Sequence, residues 1–382
     1  MNIMSTMRYF AGIIRYHPDL VRLYFRNRWR ETMLWFDHRR TDGISRYPRT
    51  VTLKLTLACN LRCKMCAFNE SGQVMNHLSE SLSLEEWKAV VDDVARFRPY
   101  ICITGGEPLL YPDLPELLAH IKRRGLTCTV TTNGSMLPKR AADLMECPPN
   151  MIVVSIDGPA EVHDEIRGTK GTFERAYDGV KAIQSIKLLK KTRMPSTVVT
   201  CAVTPYNHRA IEEMPGIARE LGVDVMNFQH QWVLTSEMVE AHNRLFGDVH
   251  PMSYEEMGGM EPPAVDAEEL GQAVDRIRRL GRVSGRQYIG THPLLDSADV
   301  RTWYGDLNRW IKRGTPACAW MGVSILPNGD VEACPGMITG NVTREPLTGI
   351  WNNEAFREHR KRLLKSKGFP ICLRCCRFFR VD

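Results

Sequence analysis

The residues best able to do chemistry in this chain are thiols, and they fall into two sets. The first is LACNLRCKMCAFN, with the spacing Cys59-x3-Cys63-x2-Cys66. Three thiolates on one short loop can ligate three irons of a cubane cluster, because cysteine thiolate is the usual iron–sulfur ligand. The loop carries no fourth cysteine or histidine, so a fourth iron stays open. An open metal position is what chemistry requires. The rival reading is a structural zinc site, which normally closes with four ligands at paired spacings; the missing local fourth ligand counts against it.

The second set lies in residues 316–382, which hold five of the twelve cysteines. Ten residues separate Cys318 from Gly329, and four separate Gly329 from Cys334. Segments 322–326 and 330–333 read as two short strands, and Asn328-Gly329 between them is a strong hairpin signal. Such a hairpin would bring Cys318 and Cys334 near each other. Cys372-Leu-Arg-Cys375 adds a chelating pair, which makes four thiolates in all. Four can close either a cluster or a zinc site. Cys376 is a spare thiol or an alternative ligand. Cys102, Cys128, Cys147 and Cys201 are scattered, mostly through apolar runs, and read as inert.

Polar groups recur between these sets. Thr104-Gly105-Gly106-Glu107-Pro108 combines two glycines, which let backbone approach a ligand closely, with a carboxylate that could accept from an ammonium group. The alternative is an ordinary turn ahead of a helix. Asn133 in Thr131–Gly134, and Ser155 and Asp157 in Ser155–Gly158, are either ligand contacts or caps of the next helix or turn. Arg167, in the run His163-Asp164-Glu165-Ile166-Arg167-Gly168, supplies a guanidinium able to pair bidentately with a carboxylate. His163 reads as a structural residue near a helix start.

The elements that must position these groups can be read from periodicity. Segments 51–57, 100–104, 126–132, 151–156, 197–204 and 223–228 are strand-like, and helical patterns lie near 84–96, 113–124, 138–146, 172–190 and 209–221. Strand then helix, repeated about six times, predicts an α/β fold with a parallel sheet and helices on its outer face. Six units are too few for a complete eight-stranded barrel, so a partial (β/α)6 TIM-like barrel is expected. Function in such sheets collects at the carboxyl ends of strands, where the motifs above fall. We divide the chain into a helical N-terminal extension (1–48), the partial barrel (49–230), a bridging, substrate-side region (231–315) and a small Cys-rich C-terminal domain (316–382).

With these residues in view, the chain resembles the radical S-adenosylmethionine (SAM) superfamily, whose signature is the CxxxCxxC loop after the first barrel strand. Met65 stands where that family often has an aromatic residue. The resemblance implies a 4Fe–4S cluster on Cys59, Cys63 and Cys66, and a SAM site built from Gly105, Gly106 and Glu107, with Asn133, Ser155, Asp157 and Arg167 helping to hold SAM. The C-x10-G-x4-C, gap, C-x2-C pattern resembles the twitch domain, the shortened form of the SPASM domain. It implies one auxiliary 4Fe–4S cluster on Cys318, Cys334, Cys372 and Cys375. Gly349–Asn353 and the helical segment 354–364 fit the same pattern. The implied chemistry is reductive cleavage of SAM to a 5′-deoxyadenosyl radical that abstracts hydrogen from a C–H bond. Oxidation, crosslinking or rearrangement of a peptide, a sugar or alcohol, or a lipid would follow, fed by an external one-electron donor of the flavodoxin or ferredoxin kind.

Composition narrows the rest. No stretch approaches the ~18 uninterrupted apolar residues of a membrane span. The start of the chain lacks the marks of a secretory signal, so a reducing cytosol is expected. The net charge of +7 is too weak to argue for nucleic acid. Residues 7–36 mix arginines with aromatics; a helix pair packed on the barrel is the reading taken, with peripheral membrane contact and a lipid-linked substrate as the alternative. Met226, Asn227, Gln229, His230 and Trp303 are candidate substrate-side residues. The rival classes are a non-catalytic iron–sulfur electron carrier and a zinc-stabilised binding module.

Overall fold

Strand-forming residues appear where alternation predicted them: β1 (Thr50–Lys54), β2 (Tyr100–Thr104), β3 (Thr127–Thr132), β4 (Met151–Ser155), β5 (Ser196–Val203) and β6 (Val225–His230). Four more follow: β7 (Tyr288–His292), β8 (Gly322–Ile325), β9 (Asp330–Cys334) and β10 (Met337–Asn341). The computed structural model describes residues 33–70, 72, 81–258, 264–283, 288–293, 295–311 and 316–375. Its strands form one sheet in the order β10-β9-β8-β1-β2-β3-β4-β5-β6-β7. All pairings from β8 through β1 to β7 are parallel, whereas β9 and β10 are antiparallel additions. The α/β parallel sheet is therefore as expected, and it is wider than six strands. β7 comes from the bridging region, and β8 from the Cys-rich segment pairs directly with β1. Among the described residues no pairing joins β7 back to β10, so the sheet is open.

Helices fill the crossovers: α1 (Ala67–Glu70), α2 (Leu84–Ala95), α3 (Leu114–Arg123), α4 (Leu137–Leu144), α5 (Ala160–Arg167), α6 (Thr172–Leu189) and α7 (Met214–Leu221). Beyond them lie α8 (Ser236–Phe246), α9 (Ala267–Val283), α10 (Ser297–Gly305), α11 (Cys318–Met321), α12 (Leu347–Ile350) and α13 (Glu354–Ser366). α2 shows why they form. Ser83 and Glu86 make a reciprocal capping box, and Trp87, Val90, Val91 and Val94 recur at helical spacing as its buried face.

The two faces of the sheet differ. Val51, Leu53, Ile101, Ile103, Val130 and Val154 are buried in the main core under the helices. The alternate residues, Thr52, Lys54, Thr104, Ser155, Asn227 and Gln229 among them, are only half-buried and point to the other face. A second apolar cluster joins Leu234 and Met238 of the bridging region to Trp320, Leu363, Phe369 and Cys372 of the C-terminal segment. No helix among the described residues is long and apolar enough to cross a membrane. Residues 1–32, which carry most of the N-terminal extension and the membrane-contact alternative, lie outside the described residues, as does Cys376.

Candidate metal centres

The first thiol loop begins where β1 ends. The turn after β2 holds it in place: Gly106 N–H donates to the Thr56 carbonyl (2.6 Å) and Glu107 N–H to the Ala58 carbonyl (2.8 Å). A Cβ on Gly105 would stand 2.3 Å from the Thr56 oxygen, and one on Gly106 would stand 2.2 Å from the Ala58 oxygen. The two glycines are thus needed for one loop to lie on the other, a chain-on-chain contact that the sequence did not announce. Glu107 is fully buried. Its Oε1 accepts from Leu109 N–H (3.0 Å) and Thr132 Oγ1 (2.7 Å), and its Oε2 accepts from Asn133 N–H (2.8 Å). Burial pushes its carboxyl pKa up, against those donors.

Polar side chains surround the thiols. Asn133 Nδ2 lies 4.0 Å from Cys59 Sγ and donates to Asn60 Oδ1 (3.1 Å), while Asn60 Nδ2 donates to Ser135 Oγ (2.8 Å). Arg167 donates through Nη1 to Cys63 Sγ (3.8 Å) and forms a buried ion pair with Asp157, Nη2 to Oδ2 2.5 Å and Nε to Oδ2 2.7 Å. The arginine therefore pairs with a carboxylate, as the sequence suggested, and that carboxylate is the protein's own. Asp157 Oδ1 also accepts from Ala202 N–H (3.0 Å). His163 Nδ1 accepts from Asp157 N–H (3.0 Å), and burial lowers its pKa to about 4, so the ring is neutral and structural. Ser155 ends β4 half-buried, in register with Thr200 of β5 and, through it, Asn227 of β6.

Burial raises the Cys59 thiol to about 11 and raises Cys63, whose neighbour Arg167 pulls the other way. Cys59 also feels the charges of Cys63 and Cys66, and Cys63 that of Cys66. Metal binding at such thiols must displace protons.

The C-terminal set is assembled from distant points. β8 and β9 pair antiparallel, Ser324 opposite Glu332, as the Asn328-Gly329 turn predicted. Cys334 is half-buried, its thiol is raised well above the usual range by desolvation, and it feels the charges of Cys318, Cys372 and Cys375. Cys372 is pushed up to about 12 and accepts from Phe369 N–H (3.4 Å). The four thiols are thus neighbours. Among the described residues no three His, Cys, Asp or Glu side chains gather closely enough to share one ion. A cubane asks for less, since each sulfur takes its own iron. The donor chemistry of both sets therefore fits iron–sulfur clusters.

The comparisons agree. The radical SAM superfamily model matches residues 53–227. Residues 53–227 are therefore a radical SAM domain. The domain of this superfamily binds a 4Fe–4S cluster and SAM. The iron–sulfur cluster-binding SPASM model matches residues 318–376, and that domain binds auxiliary clusters. The Fe-coproporphyrin III synthase of Methanosarcina barkeri is 37% identical over 136 residues, 35% of this chain and 33% of that protein. The mycofactocin maturase MftC of Mycobacterium tuberculosis is 27% identical over 326 residues, 82% of this chain and 73% of that protein. The structure of Streptococcus suis SuiB bound to SAM superposes with a TM-score of 0.61 at 14% identity, over 83% of this chain and 68% of SuiB, a likeness of fold. The chain spans about a third to a half of the lengths of the first relatives it matches.

The structure sorts the remaining candidates. Asn227 and Gln229 lie half-buried on the face away from the helices, while Met226, His230 and Trp303 are fully buried in packing. His230 Nδ1 meets Tyr304 Oη at 3.0 Å. Sequence reasoning passed over Asn60, Thr132 and Lys54. Lys54 Nζ forms an ion pair with Glu332 of β9 (2.9 Å) and stands 5.3 Å over the ring of Phe68, just after Cys66. A lysine at an alternate, inward position of the strand leading into the thiols was the available signal.

Proposed function

We propose that this protein is a radical SAM enzyme that modifies a peptide, with Cys59, Cys63 and Cys66 holding the SAM-binding cluster and Cys318, Cys334, Cys372 and Cys375 holding one auxiliary cluster. When bound, the first cluster and SAM supply a 5′-deoxyadenosyl radical able to abstract hydrogen from a C–H bond. The observation that carries this reading is the loop of three mutually interacting thiols at the end of β1, with no fourth ligand of its own. The residues around that loop have distinct tasks. Gly105 and Gly106 let the β2 turn clamp the loop. Glu107 and Asn133 organise the SAM side. Arg167, neutralised by Asp157, donates to Cys63. Ser155 presents a hydroxyl to the open face. An external one-electron donor feeds the site.

A peptide is favoured over the other substrate classes because the match to a maturase runs over 82% of this chain, against 35% for the porphyrin-related synthase. SuiB, whose fold this chain shares, has been captured with its precursor peptide. The test has two readings. Anaerobic protein given dithionite and SAM should release 5′-deoxyadenosine and hold about eight irons per chain. Short peptides encoded beside the gene, co-expressed with it, should change mass. Release of 5′-deoxyadenosine without any peptide changing would leave the superfamily chemistry and remove the peptide.

A further inference from the structure

Two buried arginines of the C-terminal region make no ion pair with a carboxylate among the described residues. Arg374 lies between Cys372 and Cys375 in the chain and is fully buried. A guanidinium has five N–H donors. Arg374 directs all of them to backbone carbonyls: Nε to Trp303, Nη1 to Arg309 and Leu373, and Nη2 to Thr302 and Asp306. Thr302 and Trp303 close α10, whose C-terminal end is its negative pole. Arg360 of α13 is equally buried. Its Nε donates to the Ala319 carbonyl, next to Cys318, and its Nη1 to Gly43 and Asn352. The rings of Trp351 and Phe356 lie 4.2 and 4.7 Å from it, and its Nη2 has no partner among the described residues. The carboxylates of Asp306 and Asp37 act on these arginines only at longer range. At the first centre, by contrast, Arg167 is balanced by Asp157 at 2.5 Å.

A buried cation without an anion is costly, and carbonyl dipoles offset it only in part. The C-terminal thiols lie one or two residues along the chain from these contacts: Cys318 precedes Ala319, whose carbonyl binds Arg360, and Cys372 and Cys375 flank Arg374. Four thiolates around a cubane leave the assembly net negative, more so once reduced. Net charge and nearby donors set the potential of such a group. We infer that Arg374 and Arg360 are the fixed counter-charges of the auxiliary cluster and hold its reduction potential up, so that it serves as an electron acceptor.

This rests on the proposed reading that the C-terminal cysteines carry a cluster. In that reading the substrate radical loses one electron and the cluster gains it. The accompanying proton goes to water, and an external one-electron carrier removes the electron afterwards.

The test is a potentiometric titration of the reconstituted full chain, followed by electron paramagnetic resonance. Arg374→Gln and Arg360→Gln should each weaken reduction of the auxiliary cluster by about tenfold, which is about 59 mV for a one-electron couple. The SAM-binding cluster should not move, and Arg374→Lys and Arg360→Lys should keep the wild-type value. A fully loaded Gln variant with an unmoved midpoint overturns the inference, as does a Lys variant that shifts as far as Gln. If the Gln variants fail to load, loading of the Lys variants supports a need for charge, and loading of neither assigns the arginines to packing and overturns it. Wild-type protein with only about four irons and a single signal would instead defeat the auxiliary cluster itself, and this inference with it.

Discussion

The two thiol centres are built on opposite plans. Cys59, Cys63 and Cys66 sit on one loop, prepared by β1 behind it and the Gly105-Gly106 turn beside it. Cys318, Cys334, Cys372 and Cys375 come from α11, β9 and the segment after α13, and they meet only if the hairpin, α13 and the second apolar cluster are all in place. The first plan makes an open site whose position is a local property of the barrel. The second, with its four cysteines as the proposed ligands, would make a closed site that doubles as a cross-link of the C-terminal region. Charge divides the same way among the buried arginines: Arg167 is neutralised by Asp157 at the first centre, and Arg374 and Arg360 are held by neutral oxygens at the second.

The sharpest way to break this comparison is to remove one thiol from each centre. Cys63→Ala should abolish 5′-deoxyadenosine release and halve the iron content, while the C-terminal region keeps its structure. Cys372→Ala should also halve the iron, yet retain SAM cleavage and lose product. It should in addition loosen α13 and the hairpin, seen as faster amide exchange there. Equal loosening in both variants would erase the distinction between a local and a distributed site.

Acid should separate the centres next. His242, His250 and His359 are buried together around Phe369, with ring centroids 5.4, 6.4 and 5.3 Å from it. Burial lowers His250 to about 4 and His359 to about 3, and lowers His242 as well. A histidine whose folded pKa lies below its unfolded value binds its proton more readily when unfolded. The stability this represents is therefore complete above about pH 6.5 and drains away as pH falls toward 4. The barrel has one such group near its cluster loop, His163. Cluster-free protein taken from pH 7 to pH 4.5 should show α13 opening to exchange before α6, by several kcal/mol in sum. Simultaneous opening of both helices would contradict it.

Breaking the balanced arginine should cost somewhat less. Asp157→Asn leaves Arg167 buried without its anion, and loss of one partner of a buried pair typically costs about 3 to 5 kcal/mol. Denaturant titration should show that loss. Asp306→Asn, which removes a carboxylate that only acts on Arg374 from a distance, should change the midpoint little.

Local signals were legible in the chain, and long-range ones were not. The six strands from β1 to β6 could be read because apolar alternation and β-branched residues are written locally. The CxxxCxxC loop and the Asn328-Gly329 hairpin were legible for the same reason. The pairing of β8 with β1, and the addition of β7 beyond β6, were not. Both are pairings between distant segments, and a short strand such as Tyr288–His292 says nothing of its neighbour. The polar residues around the first thiol loop could be picked out by type, but their partners could not. Nothing in the run containing Arg167 tells that its carboxylate would be Asp157, and Gly105 and Gly106 look the same whether a ligand or the Thr56 and Ala58 carbonyls lie against them. Arg374 is the extreme case: one residue inside a chelating pair, with acceptors in another helix.

The smallest effect probes the ion pair that runs from the first strand to the C-terminal hairpin. Lys54 and Glu332 are 12% and 9% exposed, and Glu332 Oε1 also accepts from Gly336 N–H (3.2 Å), just past Cys334. Lys54→Met keeps the length of the stem and its contact with the apolar ring of Phe68, but it leaves Glu332 with the Gly336 donor alone. A buried acceptor left short of one partner typically costs about 1 to 3 kcal/mol. The loss should fall on the hairpin, because β1 remains paired on both sides with β2 and β8. The variant should therefore load both clusters, cleave SAM as wild type does, and show faster exchange confined to β9 and the Cys334–Gly336 turn. If SAM cleavage falls while that turn stays protected, Lys54 belongs functionally to the first centre, and the two plans are joined more tightly than one ion pair.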